Sequence, residues 1–378
     1  MTTVFVPKET RPGETRVALS PETARRLVKG KVQLVVEAGA GLAAGFPDAA
    51  LQEAGAEVGA SRWDADVVFK VQPPTAEEAG RLREGGLLVS FLQPHRELDL
   101  VRTLRDRKVT ALAMELVPRI SRAQPMDALS SQATVAGYKA VLLGAVHLAK
   151  MCPLLMTAAG TVPPAKVVVF GAGVAGLMAI ATARRLGCVV EATDVRMAAK
   201  EQVESLGGRF ITVPGAEDME DAGGYAKEQS ADFLKRQREE VAKRVAEADL
   251  VITTALIPGR KAPVLVDRAM VATMKPGAVI VDMAVEAGGN CELSELGQVV
   301  TREGVVMVGI PNLPATVPQH ASELYAKNVL SLSKLFLDKE GALKLDFGDE
   351  VLAGCRVTAD GTVHHEATAK ALGEGGAS

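Results

Sequence analysis

The sequence predicts an α/β protein of two doubly wound, parallel-sheet (Rossmann-like) domains with a cleft between them. Three observations predict it. Short apolar runs alternate with helix-like stretches, and the alternation starts a second time near residue 165. The runs are continuously apolar, as in strands buried on both faces. The 378 residues are 48% hydrophobic but only 3% aromatic, so the cores must be filled by Ala, Val and Leu, over a length that fits about two domains.

In the first half, strands are expected at 4–6, 32–35, 67–71, 87–92 and 109–116. A helix opens at Ser20-Pro21-Glu22, with a cap, a proline at the first helical position and an acid in the first turn, and it stops near Gly30. Further helices are expected at 48–54 and 97–107. The run 135–150, interrupted by Lys139 and His147, reads as a helix at the seam between domains.

The second half offers strands at 166–170, 189–193, 250–253, 278–281 and 305–309. Its helices are expected at 174–186, 197–206, 231–248 and 266–274. Residues 213–230 have no apolar period and contain Pro214, Gly215, Gly223 and Gly224, the pattern of a long functional loop. After the proline-rich turn 311–318, a helix is expected from His320 to 337. The tail 338–378 is too short to be a domain and carries a strand pattern at 355–358, so it should return to complete the first domain. The expected division is 1–131 plus 318–378, and 132–317.

Composition excludes several classes of function. The net charge is −3, which leaves no basic surplus for nucleic acid. Cys152, Cys188, Cys291 and Cys355 are far apart and form no CxxC pair, as in a reducing compartment. No His, Cys and carboxylate cluster has metal-ligand spacing, so no metal is expected. The N-terminus has no signal-peptide core, and no apolar stretch approaches the ~18 residues of a membrane span. A cytoplasmic protein without direct membrane insertion is expected.

The strongest motif lies in VVVFGAGVAGL, where Gly171, Gly173 and Gly176 form G-x-G-x-x-G between a strand and a helix. The first glycine permits the tight turn, the second lets the backbone approach a pyrophosphate, and the third allows close helix–strand packing. Val174 lies in the first helical turn, where free N–H groups and the helix dipole favour phosphate. Asp194 ends the next strand, 21 residues after Gly173. A carboxylate there can accept both ribose hydroxyls and repel a 2′-phosphate, which favours NAD over NADP. Arg196 beside it keeps a 2′-phosphate contact open.

The polar stretch 114–138 joins the two expected domains and offers Arg119, Arg122, Gln124, Asp127, Ser130, Ser131 and Gln132. A guanidinium, an amide and a carboxylate this close can bond around a nicotinamide carboxamide. The same residues also fit a solvated linker with helix caps. Lys70 sits in the apolar run Val67–Val68–Phe69–Val71. Either it is buried and needs a partner, or it lies at the strand end with its head in water.

With these residues in view, the chain resembles the NAD(H)-binding soluble α1 subunit (domain I) of proton-translocating NAD(P) transhydrogenase. The resemblance runs through VPKETRPGETRVALSPE, AGAGLAAGFPD, RISRAQPMDALSSQ, GAGVAGL and TTALIPGRKAP. It implies a catalytic loop of Arg119, Gln124 and Asp127, with Ser130 as a carboxamide contact. It further implies NAD(H) contacts at Val174, Asp194, Val195, Arg196, Gly224, Gln237 and Leu256, and a mobile loop at 223–226 with Tyr225. It also implies a homodimer, NADP(H) on a partner subunit, membrane-spanning partner subunits and a peripheral place on the cytoplasmic face of the inner membrane.

Alanine dehydrogenase, of the same fold, is the rival resemblance, through ETRVALSP with Arg16 and FKVQPP with Lys70. Its catalytic His follows the next strand, where this chain reads Phe91-Leu92-Gln93 with His95 two residues on. Its catalytic Asp precedes Gly-Gly, where this chain has Glu286-Ala287-Gly288-Gly289. An amide cannot serve as the general base for a 2-amino acid. A non-catalytic NAD sensor is a third reading, which the polar loop disfavours.

Overall fold

The computed structural model describes residues 1–212, 231–256 and 261–374. The chain divides into two compact units, Met1–Gln132 with Pro314–Ser378, and Ala133–Leu313. In chain order the strands of the first half are β1 (Thr3–Val6), β2 (Gln33–Glu37), β3 (Glu57–Gly59), β4 (Val67–Phe69), β5 (Leu87–Ser90) and β6 (Thr110–Ala113). The second unit holds β7 (Leu155–Thr157), β8 (Gly160–Val162), β9 (Lys166–Phe170), β10 (Val189–Thr193), β11 (Arg209–Phe210), β12 (Leu250–Thr253), β13 (Val279–Asp282), β14 (Val299–Arg302) and β15 (Val305–Val308). The tail adds β16 (Arg356–Ala359) and β17 (Thr362–Val363).

The first unit has one sheet in the order β17-β16-β6-β5-β4-β1-β2-β3. Its six chain-first strands are parallel. The chain starts at β1, moves outward through β2 and β3, then returns to the other side of β1 with β4. Side chains alternate between two cores: Val4 and Val6 enter one, and Phe5 enters the other. The tail strand β16 pairs antiparallel with β6, so the expected all-parallel sheet is a mixed one at that edge. Helix Pro21–Lys29 is capped as the sequence indicates, with Ser20 Oγ accepting from Thr23 N at 3.3 Å.

The second unit's sheet runs β11-β10-β9-β12-β13-β15-β14. All neighbours are parallel except β14, which pairs antiparallel with β15. Here β9 is the starting strand: β10 and β11 extend one way, and β12 begins the other half. The crevice at the carboxyl ends of β9 and β12 is the switch point where ligands bind in such sheets. Beside the sheet stands the separate hairpin β7–β8.

Two boundaries differ from the sequence expectation. Helix Ala128–His147 starts well before 135, because bonds outside the apolar period support its first turn. Asp127 Oδ1 accepts from Ser130 N at 2.9 Å, an N-cap arrangement. Gln132, placed in the second domain on sequence grounds, lies in the first unit. There its amide accepts from Arg16 at 2.8 Å and donates to Ala321 O at 3.0 Å. Among the described residues no helix is long and apolar enough to cross a membrane.

Candidate functional site

In the second unit, each glycine of the motif meets a different constraint. Gly171 adopts φ +94°, and a Cβ there would stand 2.5 Å from Thr254 Oγ1. A Cβ on Gly176 would come within 1.8 Å of Gly171 O, so helix and turn touch at that point. Gly173 is extended, φ −75° and ψ −171°, and caps helix Val174–Arg185. No atom lies within 4 Å of where its Cβ would stand, so the open side of the turn is a main-chain surface that a pyrophosphate can approach.

Asp194 follows β10 and is bonded back into the turn. Its Oδ2 accepts from Ala172 N at 2.7 Å, and its Oδ1 accepts from Arg196 N at 2.8 Å and Arg196 Nε at 3.0 Å. Burial works against its ionisation, but the Arg196 guanidinium and the two main-chain N–H groups outweigh that and hold the carboxyl below its ordinary value. Arg196 is therefore committed to Asp194, which limits its use for a 2′-phosphate. Val174, Val195 and Leu256 are 42%, 69% and 57% exposed. They follow β9, β10 and β12, three neighbouring strands, and expose aliphatic surface at the sheet's carboxyl edge. Gln237 lies half-buried on helix Ala231–Glu247. Gly224 and Tyr225 lie outside the described residues.

In the first unit, the polar stretch does not form one network. It separates into committed and uncommitted side chains. Arg122 is exposed and paired with Asp349 at 2.9 Å and Glu350 at 3.1 Å. Asp127 and Ser130 bond one another, Ser130 Oγ donating to Asp127 Oδ2 at 2.6 Å. Ser131 Oγ donates to Asn328 Oδ1 at 2.7 Å. Arg119 and Gln124 are exposed and make no side-chain bond among the described residues. Around Gln124 the turn Ser121–Met126 is anchored, with Ala123 and Met126 in the core and Pro125 O accepting from Asn328 Nδ2 at 2.9 Å. A rigid turn thus presents one free amide.

Lys70 settles its two readings in favour of burial. It lies just after β4, is 1% exposed, and its ammonium is 3.2 Å from both Glu9 and Glu78. Glu9 is pushed up by burial, against the pull of Lys70 and the Val71 N–H. Arg16 forms a two-pronged pair with Glu14, at 2.8 Å through Nε and 2.6 Å through a terminal nitrogen. Burial of Glu14 would raise its pKa, but Arg16 and Gln72 pull it down to about 2. Both basic groups are thus neutralised from within. No local pattern in the sequence marks these acids as partners of Lys70 and Arg16. Nor does one mark Thr254, whose Oγ1 donates to Phe170 O at 2.9 Å beside the glycine turn.

Gln93 has φ +48°, a left-handed conformation. Its N–H and that of Leu92 both donate to Glu115. Glu286 is exposed and accepts from Asn312 N at 3.1 Å.

Comparison with known proteins follows the same division. Residues 5–136 match the family model of the alanine dehydrogenase/PNT N-terminal domain, and residues 140–366 that of the C-terminal domain. The chain is 52% identical over 376 residues to the first part of the NAD(P) transhydrogenase alpha subunit of Rhodospirillum rubrum, a separate polypeptide there, covering 96% of this chain and 98% of that one. It is 35% identical over 383 residues to alanine dehydrogenase of Bacillus subtilis, covering 98% and 94%. A crystal structure of transhydrogenase from Sinorhizobium meliloti superposes with a TM-score of 0.89 at 46% identity, covering 96% of this chain and 99% of that one.

Proposed function

The chain belongs to the alanine dehydrogenase/PNT family, and on that premise we propose that it is the NAD(H)-binding alpha-subunit component of a proton-translocating NAD(P) transhydrogenase. Hydride passes reversibly between NAD(H) on this chain and NADP(H) on a partner subunit. The observation that carries this choice is 52% identity to a transhydrogenase alpha subunit, against 35% to an alanine dehydrogenase. The side chains agree. Amino-acid oxidation needs a group that exchanges a proton near neutral pH, and Gln93 offers none, whereas direct hydride transfer needs only orientation.

The bound nicotinamide supplies or receives the hydride at C4. The turn Gly171–Gly173–Gly176 and the start of helix Val174–Arg185 would hold the pyrophosphate. Asp194 would hold the adenosine ribose, and Val174, Val195 and Leu256 would be covered by the nucleotide. Arg196 steadies Asp194, and Gln237 remains the implied contact on its helix. Arg119 is assigned to the carboxamide and Gln124 to the partner nucleotide. Asp127 and Ser130 hold the backbone of their loop. The mobile-loop reading of Gly224 and Tyr225 rests on the resemblance alone.

Partner subunits would carry the NADP(H) site and the membrane passage, and would hold this chain at the cytoplasmic face of the inner membrane. A homodimer is supported by β7–β8. An isolated hairpin is marginal in water, yet Met156 on it is 75% exposed and Val146 nearby in sequence is 77% exposed. The stretch 151–165 carries no charge, so a second copy meets no like-charge repulsion there.

The deciding experiment assays the isolated chain with NADH, then with an NADP(H)-binding partner added. Transhydrogenation only in the mixture supports the proposal. Turnover of L-alanine by the isolated chain would overturn it.

A further inference from the structure

Asn290 is fully buried, and its side chain bonds only to main chain. Nδ2 donates to Ala255 O at 2.9 Å and to Pro263 O at 2.8 Å, while Oδ1 accepts from Ala255 N at 3.0 Å. One amide therefore joins Ala255 to Pro263. Its own main chain is fixed as firmly. Asn290 N donates to Asp282 Oδ1 at 3.1 Å, and Asn290 O accepts from Leu265 N at 2.8 Å and Val266 N at 3.0 Å.

Asp282, at the end of β13, is the anchor behind it. It is 1% exposed and also accepts from Ala284 N at 3.0 Å and Cys291 N at 2.9 Å. Gly289 reaches this hub with φ +80°, where a Cβ would stand 2.8 Å from Asp282 Oδ2. The Asp282 carboxylate thus requires the glycine that sets Asn290 in place.

The residues on either side of Ala255 face the nucleotide turn and solvent. Thr254 N donates to Phe170 O at 2.9 Å, and its hydroxyl blocks any side chain at Gly171. Leu256 is exposed. In a doubly wound sheet each half takes one mononucleotide. Asp194, after β10, marks the adenosine half, and β12 lies on the opposite side of β9.

We propose that Asn290 is a positioning residue for the dinucleotide site: through Ala255 it fixes Thr254 against the glycine turn and presents Leu256 on the nicotinamide half. The inference rests on the NAD(H) reading above. The bonds need two donors and one acceptor in a single planar group, which a carboxamide supplies. An ionised carboxylate of the same size would face two carbonyl oxygens with no proton to give. An alanine would leave three buried main-chain groups without a partner.

The test compares NADH with ADP, which occupies only the adenosine half. NADH is titrated by dihydronicotinamide fluorescence, and ADP by competition, in the intact chain and in Asn290→Asp, Asn290→Ala, Leu256→Ala and the double variant Asn290→Asp/Leu256→Ala. Asn290→Asp should weaken NADH about tenfold or more while leaving ADP within about twofold. Adding Leu256→Ala should cost less in that background than in the intact chain, because both act through one segment. Equal losses for NADH and ADP, or additive losses in the double variant, would overturn the proposal. If both Asn290 variants fail to fold, Leu256→Ala decides, since its side chain is exposed. Loss of ADP as well as NADH there would place the segment on the wrong half. An intact chain that binds no NADH would refute the NAD(H) reading itself, a separate outcome.

Discussion

The Asp194 carboxylate accepts the main-chain N–H of Ala172 at 2.7 Å, so the acid that ends one strand is bonded into the glycine turn that ends its neighbour. One side chain therefore shapes the pyrophosphate turn and places negative charge where the ribose should lie. A 2′-phosphate would meet that charge directly.

NADH should accordingly bind more tightly than NADPH, and Asp194→Ala should narrow the preference by weakening NADH. Asp194→Asn separates the two roles. Its amide oxygen can still accept from Ala172 N, so the turn persists while the repulsion of a 2′-phosphate goes. Fluorescence titration with both nucleotides measures this. Equal affinities in the unmutated chain would refute the assignment of selectivity to Asp194.

Gln124→Asn should slow hydride transfer in the reconstituted complex by roughly 10²-fold, the cost of a small misplacement, with NADH affinity nearly unchanged. Gln124 makes no bond among the described residues, and its turn is held by the Asn328 bond to Pro125 O. Shortening the side chain thus removes reach without disturbing the turn. Loss confined to the rate at saturation marks an interaction made in the transition state. A variant that lost NADH binding and kept its saturated rate would make Gln124 a cofactor contact only.

Met156→Glu should convert a dimer to a monomer in light scattering, because it places two like charges at a two-fold contact without touching a core. A dimer that survives this change would place the interface elsewhere than β7–β8.

What the sequence made legible follows from which features are local. Gly171, Gly173 and Gly176 could be read because the turn admits no side chain at two of those positions, and the pattern lies within a few residues. The Ser20 cap could be read for the same reason. The partners of Lys70 could not. Glu9 and Glu78 reach it from different segments, and an acid in a polar stretch carries no mark of burial. The start of helix Ala128–His147 was hidden because Ser130, Ser131 and Gln132 are satisfied by Asp127, Asn328 and Arg16, and not by an apolar stripe. The antiparallel edge strand β14, with two charged or polar residues in four, offered no continuous apolar run.

The Glu14–Arg16 pair gives a pH dependence with a definite sign. Glu14 titrates at about 2 in the folded chain against an ordinary 4.5. Its contribution is complete above the unfolded value and is lost as pH falls from about 4.5 towards 2. The difference corresponds to about 3 kcal/mol. Glu14→Gln should therefore lower stability at neutral pH and flatten the acid limb of a circular-dichroism unfolding series. An acid limb of unchanged slope would show that the pair is not retained in solution.

The chain should show no alanine dehydrogenase activity, although Arg16 and Lys70 are present. Both cations are already matched by Glu14, Glu9 and Glu78, so a substrate carboxylate would have to compete with buried partners. Oxidising a 2-amino acid also needs a proton acceptor where this chain has Gln93. His95 does not stand in for it: it is exposed in the following turn, and partial burial and Arg96 hold it below the usual imidazole value. A missing acid–base group costs about 10²–10⁴ in rate, so traces of turnover do not decide the matter. Turnover of L-alanine with NAD at roughly 1–10³ per second would. Gln93→His is the companion test, and the backbone permits it. The position is left-handed at φ +48°, a region where His is among the better-tolerated residues, and the Glu115 bonds involve only main-chain N–H groups. A gain in amino-acid oxidation would locate the lost function at this one side chain. No gain in a folded variant would assign it as well to the internally paired Arg16 and Lys70 and to Glu286, whose carboxylate is bonded to the Asn312 main chain.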